Sequence, residues 1–167
     1  MISPDKLTVK AGEAFNDALD RARRAGNPLV YDLHLLLALL DQDEGIVVPM
    51  LQKIGASVAA VREQSERESA RYPKQSDAHP TLSRELNQLF DRAEKQAKKL
   101  GDEYVSTEHL LLALAETPGT ESKTLLKGVG ATPDKLLEAL EAVRGPAGER
   151  TLEGKVCALP RELAQTA

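Results

Sequence analysis

Residues 33–40 read LHLLLALL and residues 108–115 read EHLLLALA, so the densest apolar stretch of the chain occurs twice, 75 positions apart. Sliding the sequence along itself by 75 positions, without a gap, also places Phe15 on Phe90, Ala18 on Ala93, Ala22 on Ala97 and Gly26 on Gly101. Val30 falls on Val105, His34 on His109, Leu51 on Leu126, Gly55 on Gly130 and Ala56 on Ala131. This is an internal duplication, and it constrains the fold more than any other feature: the chain is built of two like units.

At 167 residues the chain suits one compact domain or two intimately packed halves. Its 41% hydrophobic and 29% charged residues are those of a globular protein. Aromatics are only 3% and Trp is absent, so the core must be Leu, Ala, Val and Ile, a mixture that favours helices over sheets. The expected class is all-α. A net charge of −4 gives no electrostatic handle on nucleic acid, which sets that partner aside. MISPDKLTVK has no apolar signal segment, and no apolar run approaches the roughly 20 residues that a bilayer demands, so no membrane partner is expected. A single cysteine, Cys157, forms no internal disulfide and fits a reducing, cytoplasmic setting.

Each unit reads as four helices. The first runs from Thr8, as N-cap, to Gly26, with Ala11, Ala14, Phe15, Ala18 and Ala22 on one stripe. Its counterpart runs from Ser83 to Gly101 with Leu86, Leu89, Phe90, Ala93 and Ala97. Short loops, 27–32 and 102–107, then lead to the LLLAL helices, with Asp32 and Thr107 expected as N-caps. These helices are apolar nearly all round and belong at the buried centre of each half. A third helix is expected over 46–54 and 121–128, with Pro49 tolerated in the first turn. A fourth opens at Ser57 and at Thr132, where Pro133 takes the first helical position. The units are therefore placed at 1–71 and 82–144, joined by a loop over 72–81. Residues 145–167 form a tail expected to be mobile or loosely docked.

Chemistry is sparse. The nearest approach to a nucleotide-binding loop, Gly148 to Lys155, is one residue too long and has Val156 in place of the required hydroxyl. No metal set is evident. His34 and His109 each stand second in a leucine-rich helix without a further His or Cys nearby, which points to hydrogen bonds that orient the helix starts. Ser and Thr fall mostly at helix starts, where capping explains them. No catalytic residue, metal or cofactor is expected. The duplication instead suggests a surface: two like units make a groove along their seam, and a groove lined by Leu, Val and Phe accepts apolar peptides. Burying a few hundred Å² at about 25 cal/mol/Å² gives a gross gain on the order of 5–10 kcal/mol. After losses of translational and side-chain freedom, affinities of roughly micromolar to millimolar remain.

The segments GDEYVSTEHLLLALAE and LLKGVGATPDKLLEAL carry a resemblance. Over residues 5–144 the chain resembles the Clp N-terminal repeat domain of AAA+ unfoldases and disaggregases. DLHLLLALLDQDEGIVVPMLQKIGAS and the RYP-containing connection are most similar to the ClpB-type disaggregase branch. The resemblance implies a pseudo-twofold helical domain, monomeric in isolation, that docks unfolded or aggregated polypeptides or adaptor proteins and passes them to an ATPase ring absent from this chain. It implies substrate-binding roles for hydroxyls at Thr8 and Ser83, for the aromatic at Phe90 and for acids at Asp102 and Glu108. For Thr8 and Ser83 the alternative is capping, for Glu108 a favourable place in a helix's first turn, and for Asp102 a solvated loop position. The acids belong to the second half only, opposite Asn27 and Leu33, and fold alone would have put them in both. ClpC-type domains carry Glu in both halves and use them for phosphoarginine; here an arginine-rich segment would meet Glu108 alone. LEGKVCALPRELAQTA departs from the linker of the family, which leaves open an excised domain or a freestanding adaptor that binds a folded partner.

Overall fold

The computed structural model describes residues 3–144, and eight α-helices lie among them in two sets of four. After a short 3₁₀ turn at Pro4–Lys6, the first set comprises α1 (Val9–Ala25), α2 (Asp32–Leu40), α3 (Val47–Lys53) and α4 (Val58–Ser69). The second comprises α5 (Arg84–Lys99), α6 (Thr107–Glu116), α7 (Glu121–Gly128) and α8 (Pro133–Arg144). The expected tail, with Cys157 and Pro160, lies outside the described residues, as does Gly148–Lys155.

α2 and α6 are the centre of the molecule: every residue of α2, and of α6 from Thr107 to Ala115, is buried. Their all-round apolar character requires this, since neither helix has a polar face for solvent. α1 lies on α2 through Ala11, Ala14, Ala18 and Ala22, whose small side chains allow close approach. α5 covers α6 with a bulkier stripe of Leu86, Leu89, Phe90, Ala93 and Ala97. Gly26 closes α1 at φ 74°, where its N–H reaches Arg23 and the N–H of Asn27 reaches Ala22 O at 2.9 Å.

The N-caps of α2 and α6 are Tyr31 and Ser106, one residue earlier than Asp32 and Thr107. The reason is His34 and His109, the third residues of their helices, whose rings take the backbone N–H of Tyr31 and Ser106 and so cap from inside. Asp32, freed from that task, turns outward from its helix. Its Oδ2 accepts the N–H of Ser122 at 2.7 Å and caps α7 of the other set.

The two sets are also tied by short extended segments. β1 (Leu29–Val30) pairs in parallel with β2 (Thr81–Leu82), so part of the expected 72–81 connection is strand. Leu7 pairs with Val105 in the same sense. Under the 75-residue shift these are one interaction made twice, Val30 with Leu82 and Val105 with Leu7. The segment entering the first helix of each set is thus bonded to the loop of the other, a reciprocal exchange that fixes the pseudo-twofold arrangement.

Candidate functional site

Thr8 and Ser83 are symmetry mates at the starts of α1 and α5. Thr8 Oγ1 accepts the N–H of Ala11 at 3.2 Å, and Ser83 Oγ that of Leu86 at 3.1 Å. Their own N–H groups donate across the seam, Thr8 to Val105 O and Ser83 to Val30 O, both at 3.0 Å. Each residue therefore caps its helix and bolts it to the opposite set, and both side chains are buried.

Phe90 is buried in the core, and the edge-to-face partner of its ring is Phe15, with centroids 5.5 Å apart and planes at 65°. These positions are symmetry mates, so the ring pair marks the seam. Phe15 remains half-buried, as does Leu19 one turn further along α1. One turn before Phe15, a Cβ at Gly12 would meet nothing within 4 Å. Gly12, Phe15 and Leu19 form a partly open strip beside the seam.

His34 and His109 make matching clips. The N–H of Tyr31 donates to His34 Nδ1 at 2.9 Å, and that of Ser106 to His109 Nδ1 at 2.8 Å. With Nδ1 an acceptor, each ring carries its proton on Nε2 and donates it to the loop. The acceptor is Asn27 Oδ1 at 2.9 Å in the first set and Asp102 Oδ2 at 2.7 Å in the second. Burial, and then the charge of Arg21, push the His34 pKa down to about 4. Among the described residues no group of His, Cys, Asp and Glu is arranged to hold a metal ion.

Here the sets diverge. Glu108 is only 2% exposed, inside the protein rather than at its surface. Its carboxylate faces the guanidinium of Arg144, the final residue of α8, itself 3% exposed. Arg144 reaches Glu108 Oε2 at 3.4 Å through one terminal nitrogen and Asp102 Oδ2 at 3.0 Å through the other. Burial alone would raise the Asp102 pKa, but the hydrogen bonds from His109 and Arg144 outweigh it and hold the carboxyl below its ordinary value. The two acids expected at a surface are thus brought together by a buried arginine.

Thr8, Ser83, Phe90 and Glu108 are buried and Asp102 is partly exposed, in three groupings: the paired caps, the aromatic seam and the ionic cluster. Sequence reading missed Arg144. Its signal was present, because Leu136, Leu140 and Arg144 follow at four-residue spacing on the apolar stripe of α8. An arginine on such a stripe needs a buried acid, and the second unit has two that the first lacks. Phe15, matched to Phe90 by the duplication, was the more accessible ring and was passed over.

Two open depressions accompany these features. One of about 700 Å³ lies between α4 and α7, lined by Arg67, Glu68, Glu121 and Lys123 among others. A smaller one of about 290 Å³ is lined by Arg21, Arg24, His34, Leu37 and Ser69.

The Clp repeat (R) N-terminal domain family matches residues 6–129. The chaperone protein ClpB of Mycobacterium tuberculosis is 43% identical over 142 residues, which are 84% of this chain and 17% of that protein. The chain thus corresponds to a small part of the ClpB relatives it matches. Among solved structures, the N-terminal domain of Hsp104 from Candida albicans superposes with a TM-score of 0.72 at 23% identity, covering 84% of this chain and 92% of that one. The ClpV N-domain in complex with a VipB peptide does so with a TM-score of 0.66 at 20% identity, covering 81% and 85%. At such identities these structures speak to the fold alone. Matched by family and by sequence over most of its length, with eight helices in two like sets, the chain belongs to the Clp N-terminal repeat domain family, of the kind found in ClpB chaperones.

Proposed function

We propose that this domain docks exposed apolar segments of unfolded or aggregated polypeptides at the seam between its repeats, on behalf of an ATPase ring such as ClpB-type relatives possess. The observation that carries the reading is the strip on α1: half-buried Phe15 and Leu19, with open space over Gly12, beside a ring pair that lies on the pseudo-twofold seam. A client contacts this strip, and the five residues singled out in the sequence act from below. Phe90 supports Phe15, Thr8 and Ser83 fix the starts of α1 and α5, and Asp102 and Glu108 hold the end of α8 through Arg144. The strip is small, which fits weak, promiscuous capture of roughly micromolar to millimolar strength.

The test is fluorescence anisotropy of a labelled, permanently unfolded apolar polypeptide against the parent and Phe15→Ala. Because Phe15 is only half-buried, the variant keeps its fold, and affinity falls several-fold. Equal affinity removes the strip from the site. A second reading, docking of one segment of a specific folded partner, draws support from the ClpV N-domain complex with a VipB peptide. In the same assay it predicts no binding of the unfolded chain.

A further inference from the structure

The pseudo-twofold axis supplies an internal control for the ionic cluster. Under the 75-residue shift, Asp102, Glu108 and Arg144 fall on Asn27, Leu33 and Ser69. Asn27 receives the histidine bond as well as Asp102 does, Leu33 is fully buried, and α4 ends at Ser69 as α8 ends at Arg144. The same fold therefore closes around a neutral set in one repeat and a charged set in the other. Charged groups are poor replacements for apolar ones as a source of stability, because desolvation opposes their attraction. The packing of four helices does not explain the exchange.

What distinguishes the charged set is directionality. Arg144 presents a planar fork to two carboxylates on different segments, Asp102 in the loop after α5 and Glu108 in the first turn of α6. Ser69 has no such reach: its hydroxyl donates to Glu66 O within its own helix. Beside Ser69 the first repeat has an open depression, lined also by His34, Leu37, Arg21 and Arg24. His109 and Leu112 are the second-repeat counterparts of His34 and Leu37. The first repeat thus has no arginine at the position equivalent to Arg144.

We propose that Arg144 is a latch, its guanidinium seated on Asp102 and Glu108, which pins the last turn of α8 to the second repeat and releases as a local unit without unfolding the helices. The latch stands in the last turn of α8. It is independent of whether the seam captures unfolded chains.

The experiment is residue-resolved amide hydrogen exchange by NMR on the whole 167-residue chain, at one pH near neutrality. Three proteins are compared: the parent, Arg144→Ser, and the triple variant Asp102→Asn, Glu108→Leu, Arg144→Ser, which carries the first repeat's set. In Arg144→Ser, amides of residues 141–144 and 102–106 exchange at least tenfold faster, while those of α1 and α2 keep their rates. Ethylguanidinium at millimolar concentration slows residues 102–106 again in this variant but not in the triple one. The triple variant, relieved of its two acids, melts at or above the parent's temperature yet keeps the fast exchange at 141–144. Unchanged exchange at 141–144 in both variants overturns the latch. Faster exchange throughout all helices of the triple variant does so too, because it makes the cluster part of the global fold. If Arg144→Ser alone does not fold, the triple variant decides.

Discussion

The hydroxyls of Thr8 and Ser83 act in opposite ways under the two roles open to them, and removing each one separates those roles. Both are 2% exposed and each accepts one hydrogen bond from the third residue of its helix. Loss of such a cap destabilises by about 1 kcal/mol. Ser83→Ala removes only the cap, so about 1 kcal/mol is expected. Thr8→Ala also removes a buried methyl, for which area burial adds about 0.8 kcal/mol, giving about 2 kcal/mol in all. At about 2–4 °C per kcal/mol for a chain of this size, the melting temperature falls by about 2–4 °C for Ser83→Ala and twice that for Thr8→Ala. The two caps share no partner, so the double variant loses about 3 kcal/mol, near the sum. Thr8→Ser, which keeps the acceptor, loses only the methyl's share. Calorimetry measures all four, and anisotropy with the unfolded polypeptide is run on the same samples at a temperature where every variant is folded. Melting temperatures within a degree of the parent, accompanied by lost binding, would refute the capping account and make the hydroxyls direct contacts.

Gly12→Ala raises stability by about 0.5–1 kcal/mol, since helical Gly is the weaker residue and the new methyl meets nothing within 4 Å; chemical denaturation checks it. Gly55→Ala and Gly130→Ala lower stability by about 1–2 kcal/mol each, because both positions hold φ 82°, which an L side chain resists; equal melting temperatures would show that the backbone relaxes there. His34 binds no proton in the folded state until about pH 4, whereas the unfolded ring titrates near 6.5. The unfolded state therefore takes up the proton first as pH falls, and His34 removes about 2 kcal/mol of stability between pH 7 and 5. Urea unfolding at the two pH values shows this slope, and His34→Gln flattens it.

The helices were legible because their signals are local and duplicated. Ala and Leu stripes, the caps at Thr8, Ser83, Ser57 and Thr132, and closing glycines recur at the same offset, so each half corroborates the other. Where two local signals competed, the result shifted by one residue. Asp32 and Thr107 are good N-caps by type, but the rings of His34 and His109 claim the preceding residue. Non-local features left little trace. Strands of two residues have no period, so the bonds of Leu7 to Val105 and of Val30 to Leu82 could not be read from spacing. Glu108 in the first turn of α6 satisfies the helix dipole whether it is wet or dry, and only α8, far along the chain, places Arg144 against it. The asymmetry between the halves was visible as unmatched acids. Its partner was not, because a terminal arginine usually faces solvent.

The central claim is that the seam beside Phe15 receives non-native chains. The direct measurement is a methyl and amide NMR titration of the labelled domain with a permanently unfolded apolar polypeptide, using its folded counterpart as control. The account predicts shifts at Gly12, Phe15 and Leu19, relayed to Phe90, with the unfolded ligand alone. Shifts elsewhere, or no shifts with the unfolded chain, would contradict it.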